Sequence, residues 1–208
     1  MTTWTLLDYG VGNLHSLGKA LTAAGAKVRV TDRPGDLADA DVAVLPGVGA
    51  FGAVMDKLAP AGPALQARHR DGRPTLGICI GAQVMYGASD ETLGAKGLGL
   101  FPGTVRRLPA SAGKVPHMGW NTLEPVSASH TLDDALFDGV PAGSYVYYVH
   151  GYAAPAGPET VATTTYGNVF TAALRQGATV GLQFHPEKSS AVGQRLLRNA
   201  VSILEAAA

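Results

Sequence analysis

Short apolar runs, each closed by glycine, proline or a charge, alternate with segments of helical spacing along the amino-terminal part of the chain. Thr5-Leu6-Leu7 reads as a buried strand, and Asn13 is placed to cap a helix from Leu14 to about Ala24 that Gly25 ends. Val28-Arg29-Val30 and Asp41-Val42-Ala43-Val44-Leu45 predict two more strands, the second cut off by Pro46-Gly47. Helical patterns at Ala53 to Leu58 and Ala64 to Arg70 lead into the apolar run Pro74-Thr75-Leu76, after which Gln83-Val84-Met85-Tyr86 is helix-like again. Strands alternating with helices predict an α/β fold built on a mostly parallel sheet.

After Gly87 the pattern changes to short strand-like pieces separated by Gly and Pro: Gly103-Thr104-Val105-Arg106, Tyr145-Val146-Tyr147-Tyr148-Val149, and Val161 to Thr165. These predict antiparallel additions, making the expected sheet open and mixed, flanked by helices. Val180-Gly181-Leu182-Gln183-Phe184 is a final strand. Ser190 to Ala206 has helical spacing, with Val192, Leu196, Leu197, Ala200 and Leu204 on the face that packs back on the sheet. No repeat or long linker divides the chain, and Ala153 to Pro158 reads as a surface loop, so residues 1–208 are expected to form a single domain.

Composition narrows the function classes. The chain has 208 residues, 46% hydrophobic and 15% charged, enough to bury a full core. Basic and acidic residues balance at 16 each with no Lys/Arg run, which argues against nucleic acid or an anionic membrane as partner. No apolar stretch reaches membrane-spanning length. A single cysteine rules out an internal disulfide, and Met1-Thr2-Thr3-Trp4 lacks signal-peptide character, so a cytoplasmic protein is expected.

That cysteine, Cys79, sits in Gly77-Ile78-Cys79-Ile80-Gly81, between a strand and a helix-like segment. A lone cysteine often only fills a core. Glycines two positions either side are what a sharp strand-to-helix turn needs, one that thrusts a nucleophile out of the sheet toward the amides of the next helix. A base is available in Gln183-Phe184-His185-Pro186-Glu187-Lys188, at the carboxyl end of a strand, where open α/β sheets place their sites. Pro186 fixes the backbone so that Glu187 returns to one imidazole nitrogen of His185 while the other faces the sulfur. Pro46-Gly47-Val48-Gly49-Ala50-Phe51-Gly52 follows a strand and supplies backbone amides: Val48 or Gly49, with Ile80 behind the nucleophile, would form an oxyanion hole. That loop lacks both P-loop and dinucleotide-binding spacing. His117 and His150 have no second ligand at helical spacing, so structural or partner-facing roles suit them better than metal binding.

Five blocks carry a resemblance. Leu45 to Gly52, Gly77 to Gln83, Val115-Pro116-His117-Met118-Gly119-Trp120-Asn121, Tyr148-Val149-His150 and Gln183 to Ser189 are similar, in order, to the class I, or triad-type, glutamine amidotransferases. The His-Met-Gly-Trp-Asn block is most like the glutaminases that serve imidazole glycerol phosphate synthase; other acyl-transferring hydrolases of this fold, such as γ-glutamyl hydrolases, are the alternative. The resemblance implies hydrolysis of glutamine through a thioester on Cys79, with His185 as base and Glu187 as orienter and with no metal or cofactor. It implies substrate contacts from Gln83, Gly47, His150 and Gly151. It also implies a heterodimer with a (β/α)8-barrel cyclase subunit, with Asn13, Trp120, Asn121, Tyr147 and Lys188 at the interface or ammonia exit. One position departs from the pattern: Gly151 stands where the family usually has Ser or Thr.

Overall fold

The computed structural model describes residues 2–10, 14–126 and 134–208. The first part of the chain forms β1 (Thr3–Leu7), α1 (His15–Ala23), β2 (Lys27–Thr31), β3 (Val42–Leu45), α2 (Phe51–Leu58), α3 (Gly62–Arg70), β4 (Thr75–Ile78) and the single turn α4 (Ile80–Gln83). The second part adds β5 (Tyr86–Ser89), β6 (Phe101–Arg107), β7 (His117–Thr122), β8 (Tyr145–His150), β9 (Tyr152–Ala153), β10 (Thr160–Tyr166), β11 (Asn168–Gln176), β12 (Thr179–Leu182) and α5 (Ser190–Glu205).

A seven-stranded sheet in the order β10-β11-β12-β4-β3-β1-β2 forms the centre. From β12 to β2 every pairing is parallel, while β11 runs antiparallel to both its neighbours. The fold is therefore the mixed, mostly parallel α/β sheet that the pattern predicts. Both faces are covered, as parallel strands require. In β1 and β3, Trp4, Leu6, Val42 and Val44 pack with α1 and α5 on one face, whereas Leu7, Ala43 and Leu45 pack with α2 and α3 on the other. The β7–β8 ribbon and a small β5-β6-β9 sheet stand apart from this layer.

Some expectations need correction. The helix after Cys79 is one turn only, and Tyr86, expected in it, begins β5. Its cause is tertiary: the carbonyls of Val84, Met85 and Tyr86 accept from the amides of Leu98, Leu100 and Gly99 at 2.7, 2.8 and 3.2 Å, which removes them from any helical ladder. β11 has no counterpart in the sequence reading, because its buried run from Phe170 to Leu174 lacks the alternation that marks a strand with one wet face. α1 starts at His15, with Leu14 before it, and Asn13 lies outside the described residues.

Arg68 on α3 fastens the strands that carry the site. It is 1% exposed, and its guanidinium donates to the carbonyls of Ala40 and Pro74, both at 2.7 Å, with longer bonds to Ala38 and Asp41 at 3.3 Å. Burial lowers its pKa to about 10, so the group stays charged at neutral pH. One cation thus ties together the segments entering β3 and β4. Replacement by Leu removes these bonds, although Arg73 still reaches the Ala38 and Ala40 carbonyls and the Ala43 amide still reaches Pro74, and Arg68→Leu is expected to cost about 1–3 kcal/mol in urea unfolding.

Candidate active site

Register decides where the candidate residues emerge. Leu45 of β3 pairs with Gly77 of β4, and Ile78 of β4 pairs with Leu182 of β12, so three adjacent strands end at one edge. Beyond those ends lie the Pro46-Gly47-Val48-Gly49 loop, Cys79, and Gln183-Phe184-His185. The carboxyl edge of an open parallel sheet is where such folds bind ligands.

Cys79 has φ 50° and ψ −110°, a backbone conformation that a non-glycine residue rarely adopts. Its amide donates to the Leu182 carbonyl at 2.7 Å, and its carbonyl accepts from Ala82 and Gln83, both at 3.0 Å. The flanking glycines are a packing requirement here. A Cβ on Gly77 would stand 2.6 Å from the Gly81 carbonyl oxygen, and one on Gly81 would collide with the Leu45 carbonyl oxygen. Gly47 is pressed in the same way, since a Cβ there would lie 2.9 Å from His185 Cε1 and 3.1 Å from Cys79 Cβ.

His185 is anchored by its own backbone. Its amide donates to Tyr147 at 2.8 Å, and Ser189 Oγ donates to its carbonyl at 2.7 Å while accepting from the Tyr147 amide at 2.9 Å. A single 3-10 turn over Pro186–Lys188 brings Glu187 back, so that its Oε1 lies 2.8 Å from His185 Nδ1. Both side chains are nearly buried, at 7% and 8% exposure. Burial alone would lower the His185 pKa, but hydrogen bonds to Cys79 and Glu187 outweigh it and raise the value to about 9. Imidazole and carboxylate thus form a hydrogen-bonded pair, with Cys79 beside the ring and its Sγ 3.7 Å from the Val149 carbonyl oxygen, an arrangement able to activate a nucleophile.

The other candidate positions divide by place. Ile80 is buried at the start of α4, Val48 is half-buried, and Gly49 is exposed with φ +103° on the loop that faces Cys79 and His185. Gln83 is 4% exposed and turned inward, donating from Nε2 to the Tyr152 carbonyl at 2.7 Å and to Gln183 Oε1 at 3.0 Å. His150 is buried beside Tyr152, and Gly151 has room for a side chain, with Val115 Cγ1 3.8 Å from an added Cβ. On the ribbon, Trp120 is 50% exposed and meets Tyr147 edge to face at 5.8 Å, whereas Asn121 turns in to the Thr165 carbonyl at 3.0 Å. Lys188 is exposed and, with His185, Glu187 and Ser16, lines a cavity of about 170 Å³.

Three side chains in this region escape sequence reasoning. Glu91 accepts from the Phe51 amide at 2.7 Å, and Thr92 Oγ1 accepts from the Gly52 amide at 3.3 Å, so both hold the end of the glycine loop at the start of α2. Gln183 donates to Cys79 Sγ at 3.7 Å. Contacts formed across so many intervening residues leave no local spacing to read. Among the described residues, no group of three or more His, Cys, Asp or Glu side chains is placed to hold a metal ion, and no helix is long and apolar enough to cross a membrane.

A strand-to-turn cysteine beside a carboxylate-backed histidine, on a mixed α/β sheet, places the molecule in a recognised class: the chain belongs to the glutamine amidotransferase class-I family, whose model matches residues 5–203. Within that class, it is 46% identical over 202 residues to imidazole glycerol phosphate synthase subunit HisH of Methanothermobacter thermautotrophicus, covering 97% of this chain and 98% of that protein. It is 43% identical over 201 residues to the chloroplastic imidazole glycerol phosphate synthase hisHF of Arabidopsis thaliana, covering 93% of this chain and 33% of the plant protein. A solved glutamine amidotransferase from Thermotoga maritima shares the fold, with TM-score 0.61 at 19% identity over 99% of this chain and 90% of that one.

Two outcomes follow from the geometry. The folded-state pKa of His185, about 9, lies above the ordinary 6.5, so the stability its proton supplies is complete below pH 6.5 and is lost as pH rises through 9. An NMR titration is expected to place its midpoint near 9, and Glu187→Gln to lower it. Gly81→Ala is expected to destabilise the fold by at least about 1–3 kcal/mol in urea unfolding, because the obstacle is a backbone carbonyl with little freedom to move.

Proposed function

We propose that this chain, as one domain, is the glutaminase subunit of an imidazole glycerol phosphate synthase. It hydrolyses L-glutamine to glutamate and ammonia, and passes the ammonia to a cyclase subunit that makes imidazole glycerol phosphate and an aminoimidazole carboxamide nucleotide in histidine biosynthesis. The observation that carries this reading is Cys79 on its strained turn against the His185–Glu187 pair, in a chain that matches HisH over nearly its whole length.

In this mechanism the Cys79 thiol proton resides on His185, whose raised pKa favours the imidazolium, and the thiolate attacks the side-chain carbonyl carbon of glutamine. The tetrahedral oxyanion is received by the Ile80 amide and one from Val48 or Gly49. Collapse breaks the C–N bond, and His185 returns the proton to the departing ammonia. Water, deprotonated by His185, then opens the thioester to release glutamate and restore the thiolate beside the protonated ring. Glu187 orients the ring and stabilises its charged form throughout. Gln83, Gly47, His150 and Gly151 border the substrate site in this reading.

The partner is a (β/α)8-barrel cyclase in a cytoplasmic heterodimer. The plant relative whose name joins hisH and hisF supports that pairing, as do the exposed side chains of Met118, Trp120 and Tyr145 on the β7–β8 ribbon. Trp120, Tyr147 and Lys188 belong to the docking face or the ammonia exit, with Asn121 turned away from it to the Thr165 carbonyl, and the cavity beside His185 and Lys188 suits passage of a small polar molecule.

Steady-state glutaminase assays with and without the cyclase and its ligand test the proposal. Activity is expected to be weak for the chain alone and to rise in the complex; equal rates would remove the coupling. Cys79→Ala is expected to abolish hydrolysis, whereas Glu187→Gln keeps a measurable fraction, an orienter being worth roughly 10²–10⁴ in rate. Preference for a γ-glutamyl peptide over glutamine in substrate profiling would replace the assignment with a γ-glutamyl hydrolase.

A further inference from the structure

Two buried histidines play no part in the chemistry of the thioester. His117 and His150 face each other across the β7–β8 ribbon, 3% and 6% exposed, with His117 Nδ1 3.0 Å from His150 Nε2. His117 is held between the rings of Tyr166 and Tyr148, at centroid distances of 3.9 and 4.8 Å.

Their partners fix where each proton sits. His150 Nδ1 is 2.8 Å from the Tyr152 carbonyl oxygen, which can only accept, so Nδ1 carries the proton and Nε2 the lone pair. His117 must then donate from Nδ1, which leaves its Nε2 to accept from Asn121 Nδ2 at 3.4 Å. Burial lowers the pKa of His117 to about 4 and that of His150 to about 3, so neither takes a second proton near neutrality.

The same logic runs on to the nucleophile. The Tyr152 carbonyl also accepts from Gln83 at 2.7 Å, so the Gln83 amide must present its nitrogen there. That nitrogen donates to Gln183 Oε1 at 3.0 Å, which turns the Gln183 nitrogen to Cys79 Sγ at 3.7 Å. The Tyr152 carbonyl accepts from both sides, so it sets the direction of the histidine pair on one side and of the two glutamine amides on the other. Flipping one group leaves a buried donor facing a donor or a buried acceptor facing an acceptor.

We propose that His117 and His150 are positioning residues: their hydrogen bond holds the Tyr152 carbonyl in place, and on that place depend the Gln83 amide and then the Gln183 N–H aimed at Cys79 sulfur. An N–H aimed at the sulfur stabilises thiolate relative to thiol and limits its rotation. The catalytic part of this inference rests on the glutaminase reading; the proton placement does not.

Nitrogen-15 NMR of the histidine-labelled protein at neutral pH is expected to show both rings neutral with the proton on Nδ1. A proton on Nε2 of either neutral ring, or a charged ring, overturns the proposal without any variant. Two substitutions then separate hydrogen bonding from packing. His117→Asn keeps a donor where Nδ1 stood but gives up stacking, while His117→Phe keeps the stacked ring and loses the donor. In complex with the cyclase, His117→Phe is expected to lower kcat for glutamine about tenfold with KM little changed, and to slow iodoacetamide alkylation of Cys79 similarly. His117→Asn is expected to retain most of both. The reverse order, or equal loss in the two variants, makes His117 a packing residue and overturns the proposal. Alkylation and NMR need no glutamine, so a wild-type protein that shows the expected tautomers and alkylation order but no glutaminase activity would refute the function and leave the relay standing.

Discussion

The site depends on β4 being paired in parallel on both sides, with β12 and with β3. The last rung of that pairing, the Cys79 amide on the Leu182 carbonyl at 2.7 Å, holds the cysteine in its strained conformation and sets the height of the strand that delivers His185. A one-residue slip of β12 against β4 would turn the chain leading to His185 to the opposite face of the sheet. The glycines follow from the same constraint. With β3 and β4 in register, the turn after Cys79 runs so close to the Leu45 carbonyl that only a residue without Cβ passes at Gly81, and Gly47 must leave room for the Cys79 and His185 side chains.

Electrostatics then divides the histidines of this region into two kinds. Burial disfavours the charged form of His185 as it does those of His117 and His150, but His185 faces a thiol and a carboxylate, and its pKa rises while theirs fall. His117 and His150 meet only neutral donors and acceptors directly, and the charge of His185 further disfavours a proton on His150. Burial therefore confines the proton that can move to the ring beside the sulfur.

Much of this arrangement was legible in the chain because it rests on local rules. Runs such as Asp41 to Leu45 and Val180 to Phe184 mark parallel strands, and Gly-x-Cys-x-Gly and His-Pro-Glu mark turns whose demands are set within a few residues. What stayed hidden depends on partners distant in sequence. The turn after Cys79 stops because the 98–101 segment claims its carbonyls, β11 is buried too completely to alternate, and Glu91 finds the Phe51 amide across 40 positions. Gln83 illustrates the boundary: its place on the turn after the nucleophile is plain, but its inward orientation is decided by Tyr152 and Gln183.

The β7–β8 ribbon joins these themes. Strand periodicity puts His117 and Asn121 on its inner side and Met118 and Trp120 on its outer side, so one short element carries a hydrogen-bonded interior and an apolar exterior. Its inner side reaches the sulfur through the Tyr152 carbonyl, and its outer side offers the kind of surface that a protein partner covers. Because the period is two, the faces cannot be changed independently by any shift in register: moving the ribbon by one residue against its neighbours would expose the histidines and bury the tryptophan. The surroundings of the Cys79 sulfur and the presentation of the outer face are thus bound to one pairing, which places the same constraint on this ribbon as β4 places on the sheet edge that carries Cys79.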